Sequence, residues 1–81
     1  MTRNEIIEQV NELLATEFEV EVSEITPEAN VKETLMLDSL SLVDMVALLQ
    51  MNYKITIPVN ELSKIQTFNN LYDYIEQNMP K

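Results

Sequence analysis

Between Leu40 and Tyr53 the chain carries apolar side chains at helical spacing on two sides at once, and a small domain can hardly bury both. At about 100° per residue, Leu42, Met45, Val46, Leu49 and Tyr53 form one stripe, while Leu40, Val43, Ala47 and Met51 form a second roughly 145° away. One stripe is expected to be core and the other an exposed contact surface. The competing reading is a central helix, wrapped on most sides, whose second stripe is only more core. Size weighs against it: 81 residues with 46% hydrophobic content make one domain, 1–81, with a single modest core.

The flanking segments read as helices too. Thr2 with Glu5 three residues later is a capping box, and Ile6, Ile7, Val10, Leu13, Leu14 and Phe18 follow at helical spacing, predicting a helix over about 3–17. The segment from Glu17 to Leu37 is long for a structureless loop and is expected to be pinned by Val20, Val22, Ile25, Val31 and Leu35. Asp38 or Ser39 can cap the next helix, which should run to Gln50 or Met51, with Asn52 as the left-handed cap in a chain that has no glycine. A short turn is expected around Asn60 to Ser63. Thr67 can cap a last helix that buries Phe68, Leu71, Tyr72 and Ile75 and stops at Pro80.

Two short stretches alternate instead, Phe18 to Val22 and Tyr53 to Ile57, the period of a half-buried strand. A ribbon of two five-residue strands is marginal, so the helical reading is preferred and these residues are expected to cover the ends of a bundle.

The net charge of −9, from 14 acidic and 5 basic residues, disfavours nucleic acid and anionic membranes, because phosphate would be repelled. Much of that charge sits on the connection, where Glu17, Glu19, Glu21, Glu24, Glu28 and Glu33 face only Lys32. There is no Cys for a disulfide framework and no apolar stretch long enough to span a bilayer. A soluble, cytoplasmic monomer that meets cationic protein surfaces is the expectation.

Asp38-Ser39-Leu40 is the stretch that points to chemistry. The chain has no His, so Ser39 lacks the usual base of a serine nucleophile; Lys32, Lys54, Lys64 or a carboxylate would have to serve, and no motif places them. Ser39 reads instead as an attachment point, on the shoulder between the two stripes. There the unpaired N–H groups of a first helical turn could accept a phosphate linked to its hydroxyl. The plainer alternative is that Ser39 is only a cap. Asp38 and Asp44 are six apart on no common face, which suits a cap and a solvated charge better than a catalytic pair.

From about Leu35 to Ile75 the chain resembles the acyl carrier protein family, including the carrier domains of polyketide and peptide synthetases. The resemblance is carried by Leu37-Asp38-Ser39-Leu40, Val43 with Asp44, Ile55-Thr56-Ile57-Pro58, Thr67-Phe68, Leu71 and Tyr74-Ile75. It implies an all-α four-helix bundle with a short third helix and a long connection between helices 1 and 2. It also implies a serine modified with 4′-phosphopantetheine by a separate phosphopantetheinyl transferase using coenzyme A and magnesium. Ser39 matches the attachment position, and Asp38 the residue that helps the transferase dock and place its metal. Leu40, Val43, Asp44, Ala47 and Met51 match the face that meets acyl-loading, condensing and tailoring enzymes.

On this resemblance the protein is a carrier, not an enzyme: a thiol on the arm holds acyl groups as thioesters, and the tether raises their effective concentration at whichever partner docks. A fatty cargo could fold back beside Met45 and Leu49, adaptable Met lining the space. Two departures stand out. Met36-Leu37 occupies a place where the family often has glycine, and Gln50-Met51-Asn52, followed by Lys54, replaces the usual acidic run late in the second helix. These departures leave a fatty acid or polyketide-type carrier and an aminoacyl carrier, of the D-alanyl or peptide-synthetase type, both open. An acidic helical adaptor is the alternative of another class.

Overall fold

The computed structural model describes residues 2–79, the side chain of Val59 excepted. Among them the chain forms α1 (Arg3–Phe18), a 3₁₀ turn (Val22–Glu24), α2 (Val31–Leu35), α3 (Ser39–Tyr53), α4 (Val59–Leu62) and α5 (Phe68–Asn78). The expected bundle is present, with α1, α3, the short α4 and α5 as its four helices and α2 as an addition within the long connection.

Local chemistry explains where the long helices begin. Thr2 and Glu5 close the capping box on α1, and Thr67 does the same for α5 with Asn70, each side chain satisfying an N–H that the first turn leaves unpaired. Ile6, Val10 and Leu14 of α1 pack along Phe68, Leu71, Tyr72 and Ile75 of α5, and all seven are buried. The buried Tyr72 hydroxyl donates to Asn11 on α1, and burial pushes its phenol above the ordinary tyrosine value. Outside the core, Arg3 reaches Asp73 at 2.7 Å and the amide oxygen of Asn69 at 2.7 Å, an exposed clasp worth at most about 1 kcal/mol.

The connection is not structureless. Ile25, Val31 and Leu35 bury as expected and Val20 packs at the core's edge, but Val22 is 46% exposed and pins nothing. Val22 starts the 3₁₀ turn with its side chain in solvent, while Ile25, which closes the turn at φ −90° and ψ 88°, is buried in the core. The connection is held instead by its backbone: the N–H of Val31 donates to the Gln66 carbonyl at 2.9 Å, and those of Phe68 and Asn69 donate to Ala29 and Pro27. Asn30 caps α2 through the N–H of Glu33, and Val31 and Leu35, one helical turn apart, place their side chains in the core.

The end of α3 also departs from expectation. Asn52 is not the left-handed cap; it stays helical, its side-chain amide donating to the Leu48 carbonyl at 2.8 Å. Lys54 turns left-handed instead, at φ 53°. Ending the helix at Asn52 would lift Tyr53 off the stripe it shares with Leu49, and both are buried.

No strand forms among the described residues, yet the alternation beyond Tyr53 is real. Ile55 and Ile57 are buried and Lys54 and Thr56 exposed along the irregular segment that follows α3. That segment is fastened by Gln50, which accepts from the Ile57 N–H at 2.9 Å, and by the Tyr74 hydroxyl, which donates to the Thr56 carbonyl at 2.6 Å. Alternation therefore marks burial without strand pairing. The stop expected at Pro80 lies outside the described residues; α5 has ended by Asn78.

The two stripes of α3 give a direct test of the packing. In urea denaturation Leu49→Ala should lose about 2–5 kcal/mol, whereas Val43→Ala on the exposed side should stay within about 0.5 kcal/mol of the parent.

Candidate functional site

Where α3 begins, a carboxylate and a hydroxyl divide the work. Asp38 is the N-cap, extended at φ −92° and ψ −174°; its Oδ1 accepts from the Ser41 N–H at 2.8 Å, and its carbonyl takes the Leu42 N–H at 2.9 Å. That bond to the Ser41 N–H holds the Asp38 carboxyl below the ordinary aspartate value, so it is ionised at neutral pH. Ser39 is the first helical residue and is exposed. Because Asp38 supplies the capping oxygen, the cap makes no demand on the Ser39 hydroxyl.

Below Ser39 the second stripe is open to solvent. Leu40 is 78% exposed, Val43 62% and Met51 80%, with Ala47 exposed among them. Asp44 is exposed as well, and at about 100° per residue it falls roughly 20° from Met51, a single carboxylate within the apolar face. The first stripe is core: Met45, Leu49 and Tyr53 are buried, and Leu42 and Val46 pack partly against them. The wrapped-helix alternative is therefore not what α3 does. The structure brings Asp38, Ser39, Leu40, Val43, Asp44, Ala47 and Met51 onto one helix start and one uncovered flank.

Met36 belongs to this neighbourhood and was not among the expected site residues. It is 84% exposed and left-handed, at φ 55°. The signal was in the sequence, as a bulky residue where glycine is usual. An open groove of about 360 Å³, lined by Gln9, Glu12, Leu13 and Asn52 among others, lies at the far end of α3, about 20 Å along the helix from Ser39. It shares no residue with the Ser39 site.

The chain as a whole is similar to known proteins. Residues 8–75 match the family described as "Phosphopantetheine attachment site". Among curated relatives, the acyl carrier protein of Rubrobacter xylanophilus is 39% identical over 75 residues, 93% of each chain. That of an Exiguobacterium species is 37% identical over 76 residues, 94% of this chain and 96% of its own. Among solved structures, the thermally stable acyl carrier protein from Enterococcus faecalis superposes with a TM-score of 0.80 at 31% identity, over 96% of this chain and 99% of that one. The chain belongs to the acyl carrier protein family. Members of this family are carriers, not enzymes; they bear covalently attached 4′-phosphopantetheine and work with biosynthetic enzymes. Among the described residues, no helix is long and apolar enough to cross a membrane.

The cap carries a pH signature. Folding lowers the Asp38 pKa, so its contribution to stability is full above the ordinary aspartate value and is lost as pH falls through the lowered one. Glu5 in the α1 capping box is also lowered, by the hydrogen bonds it accepts from Thr2, and its contribution has the same sign. The difference between parent and Asp38→Ala isolates the α3 cap. Their urea midpoints should be well separated at neutral pH and converge as the pH falls through the lowered Asp38 value. A separation that ignores pH would contradict the assignment.

Proposed function

We propose that Ser39 is the attachment residue for 4′-phosphopantetheine and that the Leu40, Val43, Ala47, Met51 flank, with Asp44 inside it, is the surface on which partner enzymes dock. One observation carries this reading most: the Ser39 hydroxyl is exposed and released from capping at the head of an uncovered apolar helix face. The residues suit the group. An exposed oxygen leaves room for a phosphodiester, and nothing in the cap has to move to admit one.

In this reading the chain supplies an oxygen and a rigid mount. With no His in the sequence, the proton leaving Ser39 Oγ goes to the phosphopantetheinyl transferase, which brings coenzyme A and magnesium; Oγ bonds to the phosphorus of the pantetheine phosphate and adenosine 3′,5′-bisphosphate leaves as the pyrophosphate bond breaks. Asp38, ionised and exposed beside Ser39, offers that enzyme a fixed negative charge while its other oxygen holds the helix. When attached, the group supplies a thiol that holds the cargo as a thioester. The bundle then delivers that cargo by docking.

A fatty acid cargo fits the relatives, all named acyl carrier proteins. The aminoacyl alternative is kept by Gln50, Met51, Asn52 and Lys54, which leave the end of the flank without the acidic run of typical fatty-acid carriers. A fatty chain sheltered at Met45 and Leu49 would require α3 to shift, since both are fully packed, and each buried methylene would return about 0.8 kcal/mol.

Incubation with coenzyme A, magnesium and a broad-specificity transferase should add one phosphopantetheine by mass, and Ser39→Ala should gain nothing. An adaptor or a hydrolase would remain unmodified. A second measurement addresses docking. Affinity for a cognate enzyme should change only a few-fold between low and high salt, because few charge pairs on the flank are there to be screened. A collapse of affinity at high salt would show that the acidic connection, not the apolar flank, makes the contact.

A further inference from the structure

Met36 closes α2 in the left-handed conformation, φ 55° and ψ 48°, its N–H bonded to the carbonyls of Glu33 and Lys32. In that conformation a Cβ crowds the following carbonyl, which is why glycine is the default there. Glu19 and Lys54 adopt the same conformation, but their charged side chains are solvated at the surface. Met36 differs from both. Its large apolar side chain is 84% exposed, so the fold recovers almost no burial from a residue that strains the backbone.

Three Cα steps of about 3.8 Å place Met36 within about 11 Å of Ser39. A protein interface of ordinary size covers about 800 Å² per partner, a disc of about 16 Å radius. An enzyme that brings its active site to Ser39 Oγ therefore covers Met36 as well. Partner enzymes docked on the Leu40 flank share part of this neighbourhood, but only the transferase must bring its reacting groups to Ser39 Oγ itself.

We propose that Met36 is a recognition residue for the phosphopantetheinyl transferase, its side chain entering an apolar pocket beside that enzyme's active site. The proposal rests on the reading of Ser39 above. Met36 acts by docking and takes no part in the transfer itself. An unbranched thioether adapts to such a pocket, whereas glycine would relieve the strain and leave the pocket empty.

The test uses the full apo chain, coenzyme A, magnesium and a transferase, with steady-state rates read by mass spectrometry and thermal melts of each variant. Met36→Gly and Met36→Asn, both tolerant of left-handed backbone, should melt at or above the parent. Both should raise KM, lowering kcat/KM about tenfold with kcat held, the scale expected for one Met no longer buried on docking. Met36→Leu should keep parental kinetics. The proposal is overturned if Met36→Gly is modified as efficiently as the parent, or if Met36→Leu loses as much as Met36→Asn. It is also overturned if the glycine variant melts well below the parent, since the side chain would then be serving the fold. A parent chain left unmodified at Ser39 defeats the attachment reading itself, and this proposal with it.

Discussion

The burial of Met45, Leu49 and Tyr53 fixes the rotation of α3 about its own axis, and the rest of the surface follows from that rotation. A helix whose two apolar stripes lie roughly 145° apart cannot hide one without presenting the other in so thin a bundle. The core takes the stripe of Met45, Leu49 and Tyr53. Leu40, Val43, Ala47 and Met51 are then exposed by elimination, with no separate device to hold them outward. An exposed apolar patch of this kind is costly in isolation and becomes useful when a partner covers it.

The cap completes what the rotation begins. Had Ser39 been the N-cap, its hydroxyl would have been committed to an N–H of the first turn and its backbone would have been extended, outside the helix. Moving the cap one residue earlier, to an aspartate, places Ser39 in helical geometry with its oxygen free of that duty. The same carboxylate neutralises the positive end of the helix, so a phosphodiester at Ser39 would meet a terminus already satisfied in part. The mount is therefore stiff at the backbone and permissive at the oxygen, a combination that suits a hydroxyl carrying a mobile group.

Much of this was legible in the sequence because it depends on local chemistry or on period. The capping box at Thr2, the cap at Thr67, the spacing in α1 and α5 and the paired stripes of α3 are each set within a few helical turns, and the structure places them as read. What escaped depended on distant contacts. Helix α2 is only five residues long, too short for period to reveal, and its place is set by bonds to residues 66–69. The Asn52 expectation rested on propensity alone and yielded to Tyr53, whose burial against the core carries the helix two residues further before its left-handed cap. Val22 looked like an anchor in a count of apolar residues, but it lies in solvent and the connection is held by backbone bonds instead. Asp38, Ser39 and the exposed flank were readable together; Met36 was noticed as an irregularity and acquired meaning only from its φ and its exposure.

Charge and shape are separated on this molecule. The acidic residues of the connection lie between α1 and α3 and are solvated, whereas the α3 flank offers Asp44 and little else that is ionic. Exposed charges beyond about a Debye length are screened, so the connection acts on approach and solubility more than on the final contact. In the docking proposed above, the fit at short range falls to apolar side chains and to the strained Met36 beside them. Such a contact discriminates by the shape of the partner's pockets and by what each leaves unfilled, a means of selection that a strip of carboxylates, attractive to any basic surface, does not provide.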